Sequence, residues 1–146
     1  MSKSSARVRG IEMAYDDTGG SGAALVLLHG FPFDRSMWRG QASALGGECR
    51  VVAPDLRGFG ETPAGDGEMT MESLAEDVAA LLDELKLERV LLGGLSMGGY
   101  VAFEFFRKFP ERMRAHPFGF AAPRRRAATR RPRPARARRR RGRAGR

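Results

Sequence analysis

Residues 91–106, LLGGLSMGGYVAFEFF, set one serine, Ser96, between Gly94 and Gly98 with a single residue on either side. An apolar run precedes this pattern and a helix-like stretch follows it. A serine hydroxyl becomes a nucleophile only when a base takes its proton and a carboxylate orients that base. Taken alone, G-x-S-x-G fits an ordinary tight turn equally well, since glycine and serine are common loop residues. Between a predicted buried strand and a predicted helix it has a mechanical meaning. A serine at so sharp a turn holds a strained backbone, and side chains two residues before and after it would collide. Gly94 and Gly98 meet that demand. The helix start also directs free N–H groups and a positive dipole end at the same spot, where an oxyanion would develop.

The elements that must hold this serine are legible over residues 8–113, where strand-like and helix-like patterns alternate as in an α/β domain with a mostly parallel sheet and flanking helices. RVRGIEMAYDDTGG reads as one or two short opening strands. AALVLLHG, CRVVAPD and RVLLGGL read as strands buried on both faces. DRSMWRGQASALGG predicts a short helix closed by Gly46 and Gly47. The clearest helix follows LRGFGETPAGDGEMT: Leu74, Val78, Leu81, Leu82 and Leu85 recur at helical spacing. Glu72, Glu76, Asp77, Asp83 and Glu84 are assigned to its other side, and Thr70 to its cap. The helix behind Ser96 runs from Met97 to Phe109 and is stopped by Pro110.

Charge divides the chain into two parts, residues 1–113 and residues 114–146. The net charge of +9 is entirely terminal: residues 1–113 carry 12 Lys and Arg against 17 Asp and Glu, whereas residues 114–146 carry 14 Arg and no acid. That last part has no Leu, Ile or Val, so it cannot bury enough apolar surface to offset its ordering entropy, and disorder is expected there. Arginines in residues 124–146 would bind nucleic acid through phosphates without base specificity, the second functional reading of this chain. No aromatic residue follows Phe120, so stacking on single strands is not supported. One cysteine, Cys49, excludes an intramolecular disulfide. With no apolar leader and no membrane-length stretch, the expected location is cytoplasmic, with no membrane partner.

A second element, HGFPFDRSMW, follows the first buried strand directly. Together with DLRGFGET and GLSMGGYVAFEFFRKFPERM, it makes residues 8–113 resemble the α/β-hydrolase superfamily, in particular its esterase, enol-lactonase and perhydrolase branch. The resemblance implies Ser96 as nucleophile, with the backbone N–H groups of Phe31 and Met97 as the oxyanion hole. His29, Gly30, Pro32, Gly94 and Gly98 complete the supporting motifs, and the Phe31–Pro32 bond is one that is often cis in this family. Epoxide hydrolases and haloalkane dehalogenases share the His-Gly-x-Pro element but carry aspartate where this chain has Ser96, so the resemblance implies an acyl-serine mechanism on a small carboxylic ester or lactone. It implies neither a metal nor an organic cofactor. Trp38 and the pair Phe31 and Phe33 have two readings: lining an acyl pocket, or burial against the core.

The family's triad runs Ser, Asp or Glu, then His along the chain. No acid follows Glu111, and the only later histidine, His116, opens the Arg-rich segment. His29 resembles a structural histidine, while Asp34 and Asp55 read as loop or cap residues. Triad acid and base are therefore both missing, and the chain is expected to be inactive. The family's strand order 1-2-4-3-5-6-7-8 would leave RVLLGGL as an unpaired apolar edge and the chain poorly soluble. Arg, Ala, Pro and Gly make up 29 of the last 33 residues, as expected from a GC-rich gene read out of frame. Codons for residues 115–120, read one base later, can spell Leu-Ile-Leu-Ser-Asp-Ser, a strand ending in polar residues. The expectation is a hydrolase truncated by a single-base shift near codon 114.

Overall fold

The computed structural model describes residues 2–114, and the statements below concern those residues. Five strands form one sheet: β1 (Ser2–Val8), β2 (Ile11–Asp17), β3 (Ala24–Leu28), β4 (Arg50–Pro54) and β5 (Val90–Gly94), in the order β1-β2-β4-β3-β5. The opening segment is thus two strands, paired antiparallel from Ser2↔Asp17 to Val8↔Ile11, and β2 meets β4 antiparallel. Pairing is parallel where β3 lies between β4 and β5. The sheet is therefore mixed, with its antiparallel part at the β1 end and the serine beyond its parallel end.

Each helix covers a face dictated by strand alternation. Leu27 and Val51 point to one side, where they pack on Ala42 of α1 (Arg39–Leu45), with Leu25, Trp38, Leu45 and Cys49 partly buried around them. Val26, Leu28, Val52, Val90 and Leu92 point to the other, against α2 (Met71–Glu84) and α3 (Met97–Lys108). Leu74, Val78, Leu81 and Leu82 of α2 and Val101, Ala102 and Phe105 of α3 complete that core. Thr70 caps α2 by accepting the Ser73 N–H at 3.0 Å, while the Ser73 hydroxyl accepts the Thr70 N–H at 2.9 Å. The Met97–Phe109 expectation shortens by one residue at its end, with Phe109 in the cap position ahead of Pro110.

Two expectations are corrected. Asp77, assigned to the polar side of α2, is fully buried: Arg57 grips its carboxylate with Nε and Nη2 at 2.7 and 2.9 Å, and Arg9 adds a third bond at 3.0 Å. The partner arrives from the β4–α2 loop, 20 residues away, so helical periodicity carries no trace of it. Nor is the β5 edge unpaired along its whole length. Met113 forms an isolated parallel bridge with Val90, and the Arg114 N–H donates to the Val90 carbonyl at 2.8 Å.

Candidate active site

The turn from β5 into α3 puts Ser96 at φ 50°, ψ −112°, a conformation that costs a non-glycine residue on the order of 1–3 kcal/mol. What holds it there is backbone packed on backbone. A Cβ on Gly94 would overlap the Gly98 carbonyl, and a Cβ on Gly98 would overlap the Leu28 carbonyl. Gly30 approaches from the β3 exit, where an added Cβ would lie 3.0 Å from the Leu95 carbonyl oxygen and 3.4 Å from Ser96 Cβ. The Leu95 N–H donates to Leu28 O at 3.1 Å, locking the two loops in register. Ser96 is exposed, and its hydroxyl has no hydrogen-bond partner among the described residues.

The segment after β3 carries the other expected site residues. The Phe31–Pro32 peptide bond is cis, and the Phe33 N–H turns back to Gly30 O at 2.8 Å. Phe31 and Phe33 are 69% and 54% exposed, so the core-burial alternative does not hold for them. For Trp38 it does: the indole packs on the Leu27, Ala42 and Val51 cluster. Its Nε1 is buried without an acceptor among the described residues. Phe31 lies edge-on to Phe59, which lies edge-on to the His29 ring, at centroid distances of 6.1 and 5.2 Å. Phe31 follows Gly30 on the loop packed against the turn, and Met97 follows Ser96 directly. Met97 is the first residue of α3, where an N–H has no carbonyl of its own helix to meet.

His29 is fully buried and both ring nitrogens are engaged. Nε2 accepts the Leu56 N–H at 3.0 Å, so the proton sits on Nδ1, which donates to the Gly30 carbonyl at 3.2 Å. Burial holds its pKa below the ordinary histidine value, against the opposing effects of the hydrogen bond it donates to the Gly30 carbonyl and of the charge of Asp55. It ties the β3 exit to the β4 exit and has no free nitrogen to take a proton from Ser96. His116 lies outside the described residues, as do the Arg-rich segment 124–146 and its expected disorder.

Asp34 caps the 3₁₀ turn Arg35–Trp38, accepting the Ser36 N–H at 2.7 Å. Hydrogen bonds from Ser36 keep its carboxyl below the usual carboxylate range. Asp55 follows β4 in the loop, as expected, but it is fully buried and central to an ion cluster that motif spacing does not reveal. The Arg35 guanidinium reaches Asp55, Asp16 and Glu61 together. The one available sequence signal was an aspartate directly after a buried strand, in DLRGFGET. Among the described residues no helix is long and apolar enough to cross a membrane.

A serine on a strained strand-to-helix turn, small residues on both flanks, and a His-Gly-x-Pro segment packed against it define the class of enzymes built on a parallel sheet with a nucleophile at its carboxyl edge. The chain belongs to the family described as alpha/beta hydrolase fold, which matches residues 23–116. Among solved structures it is similar to a thermophilic esterase from Thermogutta terrifontis, with a TM-score of 0.71 and 47% identity over 77% of this chain and 43% of that one. It is also similar to the enol-lactonase from Burkholderia xenovorans LB400, with a TM-score of 0.72 and 36% identity over 75% of this chain and 44% of that one. Epoxide hydrolase 2 of Siraitia grosvenorii is 40% identical over 101 residues, 66% of this chain and 31% of that protein. The chain spans about a third of the length of the curated relatives it matches.

Proposed function

We propose that residues 1–113 are the amino-terminal part of a serine hydrolase that acts on a small carboxylic ester or lactone through an acyl-serine intermediate. The observation that carries this reading is Ser96 itself, an exposed hydroxyl at φ 50° at the head of α3, with the β3 exit packed against it. In the reaction Ser96 Oγ attacks the substrate carbonyl carbon, and the N–H groups of Phe31 and Met97 hold the resulting oxyanion. The alcohol leaves with a proton, and water releases the acyl group. Phe31 and Phe33 are exposed on the loop that leaves Gly30 and are candidate acyl contacts. Serine rather than aspartate at this position favours the esterase and lactonase relatives over the epoxide hydrolases as guides to chemistry.

The described residues contain no base for Ser96, and the proposal includes a reason. The reading frame departs near codon 114, which accounts for the change of composition there. The parallel bridge of Met113 to β5 supports it, since a further strand would begin at that place. The test is to sequence the genomic DNA past codon 105 and express both the present chain and the frame-restored protein. Restored protein should hydrolyse p-nitrophenyl acetate, with Ser96→Ala abolishing turnover, and the present chain should be slower by about 10⁶ in kcat, the scale of triad knockouts. Activity that survives Ser96→Ala, or downstream frames without strand, acid and histidine in order, would refute the reading.

A further inference from the structure

The β3 exit loop is pinned at two points. At its start the Leu56 N–H holds His29 Nε2 at 3.0 Å, and at its end Asp55 holds Arg35. One Asp55 oxygen accepts the Arg35 backbone N–H at 2.7 Å, and the other accepts the Glu61 N–H at 2.8 Å together with the Arg35 guanidinium. The main chain of Asp55 is fixed as well: its N–H donates to Ala14 O at 2.9 Å, and its carbonyl accepts the Thr62 hydroxyl at 2.8 Å. Space around the carboxylate is closed, because a Cβ on Gly60, at φ +54°, would overlap it. Between the two pins lies the short stretch that carries Phe31.

A cluster of this kind is an expensive way to fill a core. Two buried carboxylates, Asp55 and Asp16, lose hydration around one buried guanidinium, with the half-exposed Glu61 at its rim, and apolar replacements of similar volume are often as stable or more so. What it supplies is direction, since a carboxylate that binds two backbone N–H groups and a guanidinium ties the main chain of two loops to one point. We infer that Asp55 is a positioning residue for the oxyanion hole: its carboxylate, through Arg35, sets where the Phe31 N–H stands relative to Ser96. The inference rests on the acyl-serine reading above.

A thiol in place of the hydroxyl makes this measurable in the present chain, because a thiolate attacks without a histidine. In Ser96→Cys the sulfur attacks the carbonyl carbon of p-nitrophenyl acetate. An S–C bond forms through a tetrahedral oxyanion, p-nitrophenolate leaves with the bonding pair, and solvent takes the thiol proton. Iodoacetamide alkylates the same sulfur by displacing iodide, with no oxyanion. The ratio of the two rates reports the oxyanion hole and cancels exposure and thiolate fraction. The parent chain, whose one thiol is Cys49, is the blank, and glutathione gives the ratio for a free thiol.

Ser96→Cys should exceed glutathione in this ratio, and adding Asp55→Asn should lower it about tenfold or more at an unchanged alkylation rate, in line with the cost of a misplaced or missing donor. No excess in Ser96→Cys would sink the acyl-serine reading, and Asp55 with it. An excess that persists in folded Asp55→Asn would overturn the role of Asp55 alone. If Asp55→Asn unfolds, Arg35→Lys decides. That variant leaves the Asp55 bonds to both backbone N–H groups in place but loses the guanidinium fork, so a smaller drop is expected. An unchanged ratio in that variant, or unfolding of both variants, assigns the cluster to stability only and overturns the inference.

Discussion

Two adjacent glycines in α3 should respond to the same substitution with opposite signs. At Gly98 an added methyl meets the Leu28 carbonyl and lies 2.6 Å from His29 O, both backbone atoms of β3 and its exit. Neither can rotate away, so α3 must lift off the sheet and break the packing of Val101 and Phe105. Overpacking of this kind costs about 1–3 kcal/mol, and the helix propensity of alanine returns at most about 1. At Gly99 the nearest atom is Gly94 O at 3.6 Å, an ordinary contact, so the propensity gain stands at about 0.5 kcal/mol. Urea melts followed by circular dichroism and Trp38 fluorescence should place Gly98→Ala below the parent by about 2 kcal/mol and Gly99→Ala slightly above it. Equal midpoints for the two variants would refute the close approach at Gly98, and with it the reason for a small residue after the serine.

Ser96→Gly should raise stability by about 1 kcal/mol in the same melts, since it releases a φ of 50° at the cost of the hydroxyl. Asp77→Ala leaves the Arg57 guanidinium buried without its anion and should cost about 3 kcal/mol, whereas Glu104→Ala, whose partner Arg107 is exposed, should change stability by under about 0.5. Stability should fall as pH drops below about 6.5, because the unfolded chain then binds a proton that His29, with its lowered folded pKa, refuses. Between pH 6.5 and 5 that slope should be smaller in His29→Gln than in the parent, measured by chemical denaturation at each pH, the remainder coming from carboxyls such as Glu61 and Glu76 whose pKa is also lowered.

Much of the fold was legible because local rules govern it. Alternation of apolar runs and amphipathic stretches located the strands and α2, Thr70 announced its cap, and the spacing of Gly94, Ser96 and Gly98 predicted a turn too tight for side chains. The strand order followed from the resemblance of the motifs in sequence order. Asp77 was misread for a physical reason: a helix pattern reports which face a residue occupies, not whether a cation from a distant loop waits there. Arg57 and Arg9 reach it from 20 and 68 residues away.

The same limit applies at the site. Residue types and spacing placed Ser96 at a turn, and the family resemblance pointed to His29 as a structural histidine. Only the tertiary structure decided which partners hold the loops: Leu56 on His29, Asp55 on Arg35, and the open positions of Phe31 and Phe33. Such bonds join segments whose separation in sequence is arbitrary, and the energy that selects them comes from burial, which exists only once the sheet has brought the ends of β3, β4 and β5 together.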